Sequence, residues 1–469
     1  MQRLNRSMME RYEIPDRRPA TLNAVQFGMG ERLLAAVDRL LDDAGGIGIR
    51  AVQAGEAGLA DALNAQDGMY TLIIRGETDE RPVHREQVVQ CLLSAIDPDA
   101  DFEALNALAR TPELGLAIVD TDEENAALAL ALAARALAER QKAGLSGLDF
   151  ICLGDDAECG ARARDVIARI AASWGLGAAF DAWLREKNAF APALVESLAF
   201  ACGAEEAKKL CAQMNYADAL VHTAEPFLRL TVQADDAFRR RWPIPGVVYT
   251  DDPADALLLK HRVYDAGLFA MAAPGWLLGC GTLADCMRHE RLRAFMGRAW
   301  VDEIIPGVPL PREEVAERVI ETCGRFENAM TLNPILRAAD HLLRRFERGA
   351  LPIIRAWAEE NFEAPRRLGF ALAAMIMLYA GARVNQDGVY EVARGRTTEP
   401  LRDNPEALAV FATLAHDMPP EALAYAALAD REVWQGKDLR EIDGLESRVA
   451  LDLAAIQRDP GYLPGEDED

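Results

Sequence analysis

Gly28-Met29-Gly30 is the first part of this sequence whose residue types and spacing could do chemistry. It follows the apolar run Asn23 to Phe27 and precedes a helical stretch from Glu31 to Asp43. Two glycines at this spacing let the backbone approach a diphosphate, and the start of a helix favours negative charge there. A purely structural strand-to-helix turn uses the same glycines, and Leu33 stands where the general dinucleotide fingerprint has its third glycine. Both readings are open at this point. Gln66-Asp67-Gly68 is most simply a turn before a strand, with Asp67 the carboxylate to test for an adenosine-ribose contact. The 6 histidines are dispersed, and no two of the 8 cysteines form a C-x-x-C pair. Neither a metal site nor a disulfide framework is indicated.

The elements around these residues predict an α/β fold. Ile47 to Val52, Tyr70 to Arg75, Leu116 to Val119 and Phe150 to Leu153 read as short buried strands. Helical patterns alternate with them, and the Ala/Leu-rich segment Glu123 to Lys142 is helical by propensity. After about residue 250 the β-branched runs fade and amphipathic helices follow one another. Arg312 to Phe326 and Pro334 to Phe346 each have a proline near their start. The expected organisation is a Rossmann-like dinucleotide-binding domain over residues 1–245, then a mainly α-helical substrate and catalytic domain over 246–469.

At 469 residues the chain is too long for one ordinary core. Its net charge of −24 argues against binding a nucleic-acid backbone or an anionic membrane by bulk electrostatics. No apolar run reaches the roughly 18 residues of a membrane span, and the N-terminus lacks the apolar core of a signal peptide. A cytoplasmic location is the simplest expectation. The oligomeric state is not legible. The acidic end, Gly465 to Asp469, is expected to be solvated and frayed.

A wider pattern surrounds the glycine turn. Gln26-Phe27-Gly28-x-Gly30 is followed by Gln66-Asp67-Gly68-x-Tyr70-Thr71, Asn188 before Leu194-Val195, Asn215-Tyr216-x-Asp218 and Thr223-Ala224-Glu225-Pro226-Phe227. Glu303-Ile304-Ile305-Pro306, Arg325-Phe326-x-Asn328 and Gly369-Phe370-Ala371-Leu372 continue the order. In order and spacing these segments resemble the polyol-specific long-chain (mannitol) dehydrogenase family, on the side of its tagaturonate reductase branch. The resemblance implies metal-independent hydride transfer between NAD and a small-molecule sugar acid. It also implies that Gly28 and Gly30 hold the cofactor and that Lys260, matching the family's lysine, is the general acid/base. Asn188 enters as a candidate catalytic side chain, with a helix or loop cap as its alternative.

Several positions depart from the family pattern. Asp265 stands five residues after Lys260, where the family has an asparagine, and Leu268 stands where it has a histidine. An amide donates to a developing alkoxide; an ionised carboxylate only accepts and repels it, and leucine offers nothing. Asp265 is also expected to pair with Lys260 and favour its charged form. His261 points in a similar direction to residue 268 on a helix but lies about 10 Å away along the axis, so it is expected to face solvent. Glu31 takes the place of an asparagine and would compete with a diphosphate for the helix dipole. Val119-Asp120-Thr121-Asp122-Glu123 replaces Ser-Asn-Thr-Thr-Glu, and Ala380 lies near where a carboxylate-binding arginine is expected. These changes motivate a second reading, a family scaffold that has lost hydride transfer and binds a ligand or partner.

Overall fold

The structure is a computed structural model that describes residues 1–55, 57–78, 81–330, 334–394 and 397–465. The acidic end at Glu466–Asp469 lies outside them. The chain divides into two units, Met1–Leu257 and Leu258–Asp469. The division falls later than the boundary expected after residue 245, because Val247–Thr250 is still a strand of the first unit's sheet.

The first unit contains β1 (Leu22–Phe27), β2 (Gly48–Val52), β3 (Tyr70–Thr78), β4 (Arg81–Val89), β5 (Leu92–Ile96) and β6 (Leu116–Asp120). It continues with β7 (Asp149–Leu153), β8 (Ala189–Glu196), β9 (Ala199–Ala201), β10 (His222–Ala224), β11 (Arg229–Gln233) and β12 (Val247–Thr250). One 8-stranded sheet runs in the order β12-β11-β8-β7-β6-β1-β2-β5. Neighbours from β5 through β8 are all parallel, and β11 is antiparallel to β8. The helices Ala126–Lys142 and Cys159–Ser173 follow β6 and β7. With both faces covered, β6 and β7 are buried at every residue, which is why they read as continuous apolar runs. This is the expected Rossmann-like α/β architecture.

Strand order decides where chemistry can sit. β1 and β6 are parallel neighbours with Phe27 opposite Val119, so the loops that leave their carboxyl ends lie side by side. Ligands of open parallel sheets bind at that edge. The helical stretch after β1 covers residues 31–44 and includes a π-helical turn, Leu33–Val37, buried throughout. A second sheet, β4-β3-β10-β9, is tied to its surroundings by buried polar groups. Gln66 Nε2 donates to Asp218 Oδ1 at 2.9 Å, and the Thr71 N–H donates to Asp218 Oδ2 at 2.6 Å.

The second unit is mainly helical. Its helix Ala266–Leu277 is buried from Ala266 to Trp276, as expected of a helix that is apolar on every face. Arg366–Ala380 packs against it and is itself covered by Leu445–Arg458. Two features were not legible. A small antiparallel sheet joins Arg383–Val384, Tyr390–Arg394 and Thr397–Pro400, strands too short and polar to show a period. The helix expected from Pro334 to Phe346 is instead Ile335–Ala338 and Leu342–Arg345, broken at His341, whose φ is 59°. Among the described residues no helix is long and apolar enough to cross a membrane.

Candidate functional site

In the first unit the glycine turn sits at the carboxyl edge of the sheet. Gly28 has φ 107°, a region that side chains disfavour, and its N–H donates to Val52 O at 2.9 Å. The chain thereby turns off β1 while staying tied to the end of β2. Beside it, the loop after β6 is fixed to the end of β7, where the Thr121 N–H and hydroxyl both donate to Leu153 O. Asp122 Oδ2 accepts from the Asp155 N–H at 2.9 Å. Arg32 Nε lies 3.1 Å from Oδ2 of buried Asp120, so the guanidinium at the start of the helix is committed to this neighbouring loop.

A Cβ added to Gly30 would fall on the carboxylate of Glu123, well inside van der Waals contact. Glu123 is partly buried. Burial, together with the charges of Asp120 and Glu31, pushes its carboxyl up to about 7 while Arg32 pulls the other way. Glu31, expected to be the competing carboxylate, is turned elsewhere: Oε1 accepts from the Ala201 N–H at 3.0 Å. The competitor beside Gly30 therefore comes from another loop. Glu123 stands three residues beyond β6, and it is the pairing of β6 with β1 that brings it there.

The backbone of this turn suits the diphosphate of a dinucleotide. Its glycines, the helix start and the carboxyl edge of the sheet are in place, and Gly28 and Gly30 would hold the diphosphate. The obstruction is the far end of one flexible side chain rather than backbone.

The structure does not bring Asp67 or Asn188 to this turn. Gly68 packs on the backbone of Leu92, the first residue of β5, so Asp67 lies at the amino edge of the parallel sheet. It has φ 55° and accepts from the Arg6 N–H at 3.0 Å. Asn188 precedes β8 and is at that same amino edge. Its Oδ1 accepts from the Leu148 N–H at 2.8 Å, and its Nδ2 donates to the carbonyls of Trp183 and Leu184. It closes the helix Ala178–Lys187, which is the cap alternative rather than the catalytic one. Glu225 is likewise structural: Oε1 accepts from the Leu198 N–H, and Arg39 binds the carbonyls of Glu225 and Pro226.

In the second unit Lys260 and Asp265 do come together. They bound a π-helical turn, Lys260–Asp265, in which residues five apart face one another. Lys260 Nζ lies 2.8 Å from Asp265 Oδ2, and His261 Nδ1 lies 2.9 Å from the same oxygen. Arg345 Nη1 donates to the other oxygen, Oδ1. Burial opposes a charge on Asp265, yet Lys260, Arg345 and His261 hold its carboxyl well below the usual range. His261 is only 13% exposed, which corrects the expectation that it faces solvent.

Packing explains the gathering. Gly349, in a second π-helical turn at Phe346–Ala350, abuts the first, and an added Cβ would come within 2.6 Å of His261 O and 2.8 Å of Ala266 N. That contact brings the adjacent Arg345 to Asp265. Arg325 lies 4.4 Å over the Tyr264 ring, and Phe326 packs on the same ring, which also supports the turn. Leu268 is fully buried in the helix that follows. Among the described residues no group of three or more His, Cys, Asp or Glu is placed to hold a metal ion.

Comparison with known proteins agrees with this architecture. The chain is 29% identical to the altronate oxidoreductase of Klebsiella pneumoniae (strain 342) and 27% identical to that of Escherichia coli (strain K12 / MC4100 / BW2952), with 97% of each chain covered. Its fold is that of Pseudomonas fluorescens mannitol 2-dehydrogenase, solved as a ternary complex with NAD and D-mannitol. The TM-score is 0.76 at 17% identity over 98% of both chains. A D-sorbitol dehydrogenase matches with a TM-score of 0.72 at 19% identity, over 98% of this chain and 99% of that one. No family model matches the chain. The chain has the fold of the polyol-specific long-chain dehydrogenases. Along nearly its whole length its sequence is similar to those of the altronate oxidoreductases.

Proposed function

We propose that this protein is a nicotinamide-dinucleotide-dependent oxidoreductase that interconverts a keto sugar acid and its hydroxy acid, with Lys260 as the general acid/base. The observation that carries the reading is the placement of Lys260. The side chain at the family's acid/base position is drawn into a buried turn and oriented by Asp265 instead of extending into solvent. The glycine turn of the first unit supports it, as does similarity to altronate oxidoreductases over 97% of the chain.

Lys260 exchanges a proton with the reacting oxygen, and a dinucleotide held at the glycine turn would supply hydride-transfer chemistry. His261 shares the Asp265 oxygen with Lys260 and places an imidazole in the same cluster, although the family's histidine position is occupied by Leu268. The cationic groups Lys260 and Arg345 around one carboxylate suit an anionic substrate.

A specific observation favours the second reading, a scaffold without turnover. Asp265 and Leu268, the latter fully buried, occupy positions where neutral donors would stabilise an alkoxide. Absorbance of NADH and NADPH, followed with a tagaturonate-type keto acid and with altronate in reverse, separates the two. Substrate-dependent change with either nucleotide supports the oxidoreductase. Its absence in a folded protein that still binds the sugar acid supports the scaffold.

A further inference from the structure

Glu123 is an internal occupant of the place where a dinucleotide would sit. The second glycine of such a turn lacks a side chain so that phosphate oxygens can come close to the backbone. Here that bare face of Gly30 is covered by the carboxyl group of Glu123. The loop bearing it is anchored at Thr121 and Asp122, so the backbone has no need to move and only the side chain must swing.

We propose that Glu123 closes the dinucleotide site and that the cofactor binds only after this side chain has turned out of the turn. The inference rests on the dinucleotide reading of Gly28 and Gly30 and adds a gate to it. The charged groups around Glu123 make the closed position unfavourable for an anion. Asp120 stands at the end of β6, Asp122 is in Glu123's own loop, Glu31 and Arg32 begin the helical stretch after β1, and Asp155 follows β7. The cation beside it, Arg32, is paired with Asp120. Turned out into water, Glu123 regains an ordinary carboxylate environment and releases the proton that it holds when closed. Opening, and with it cofactor binding, is therefore favoured as pH rises through about 7.

The test is titration of the full-length protein with NADH, followed by fluorescence, for the parent, Glu123→Ala and Glu123→Gln at pH 6 and pH 8. Thermal unfolding checks that each is folded, and Gln keeps the shape if Ala proves unstable. Glu123→Ala should bind about tenfold tighter than the parent if the open form is about a tenth populated. The parent's affinity should rise with pH, and that dependence should be lost in both variants. A parent that binds NADH as tightly as Glu123→Ala, with the same pH profile, overturns the gate and leaves the dinucleotide reading standing. No binding by any of the three at millimolar NADH overturns both.

Discussion

Lys260 and Asp265 are five residues apart and still pair at 2.8 Å, because the turn between them is π-helical. In an α-helix that spacing directs two side chains to different faces. The π turn places the lysine, the following histidine and the aspartate on one side.

Asp265 is therefore the hub of its cluster, and Asp265→Asn should cost roughly 3–5 kcal/mol of stability by leaving buried cations without their counter-charge. The sign with pH follows from its depressed carboxyl. Its stabilisation is complete above about pH 4 and is lost as pH falls toward the folded-state value. Urea unfolding of parent and variant from pH 7 down to pH 3 should show the gap narrowing with acid. A constant gap would mean that Asp265 is held by packing rather than charge.

Asp38 gives the opposite sign. It is fully buried, with Gln26 Nε2 at 3.5 Å and the Tyr70 hydroxyl at 3.3 Å, and burial pushes its carboxyl up to about 8. A raised carboxyl stabilises below its unfolded value near pH 4 and loses that stabilisation as pH rises through about 8. Asp38→Asn keeps the hydrogen-bonding shape and removes the titration. Its Tm should exceed the parent's by more at pH 8 than at pH 5; equal differences would contradict the assignment.

Asn188 separates structure from catalysis. With three hydrogen bonds joining the end of one helix to Leu148, Asn188→Ala should cost about 1–2 kcal/mol in denaturant unfolding. Turnover of the folded fraction should be unchanged, whereas a large fall in kcat would restore a catalytic role.

The glycine turn, the parallel strands and the Lys260–Asp265 pairing were legible because each rests on local pattern or on a fixed spacing. Gly28 and Gly30 mark a turn wherever they fall, and β6 and β7 are apolar because helices cover both faces. Glu123, Arg345 and the surroundings of His261 were not legible. Glu123 meets Gly30 only because β6 lies beside β1, and Arg345 reaches Asp265 only because Gly349 lets two helical turns touch. Asp67 and Asn188 failed as site residues for a related reason. Their positions along the chain say nothing of which edge of the sheet they occupy.

The role proposed for Lys260 is to exchange the proton during hydride transfer. The direct measurement is NADH consumption at saturating keto sugar acid by the parent, Lys260→Ala, and Asp265→Asn combined with Leu268→His. Parent turnover should be slow, since each missing neutral donor costs on the order of 100- to 1000-fold in other enzymes. The double variant should be faster, and Lys260→Ala should lose about 100- to 10,000-fold of the parent rate. Substrate-dependent parental turnover that survives Lys260→Ala unchanged would contradict the account.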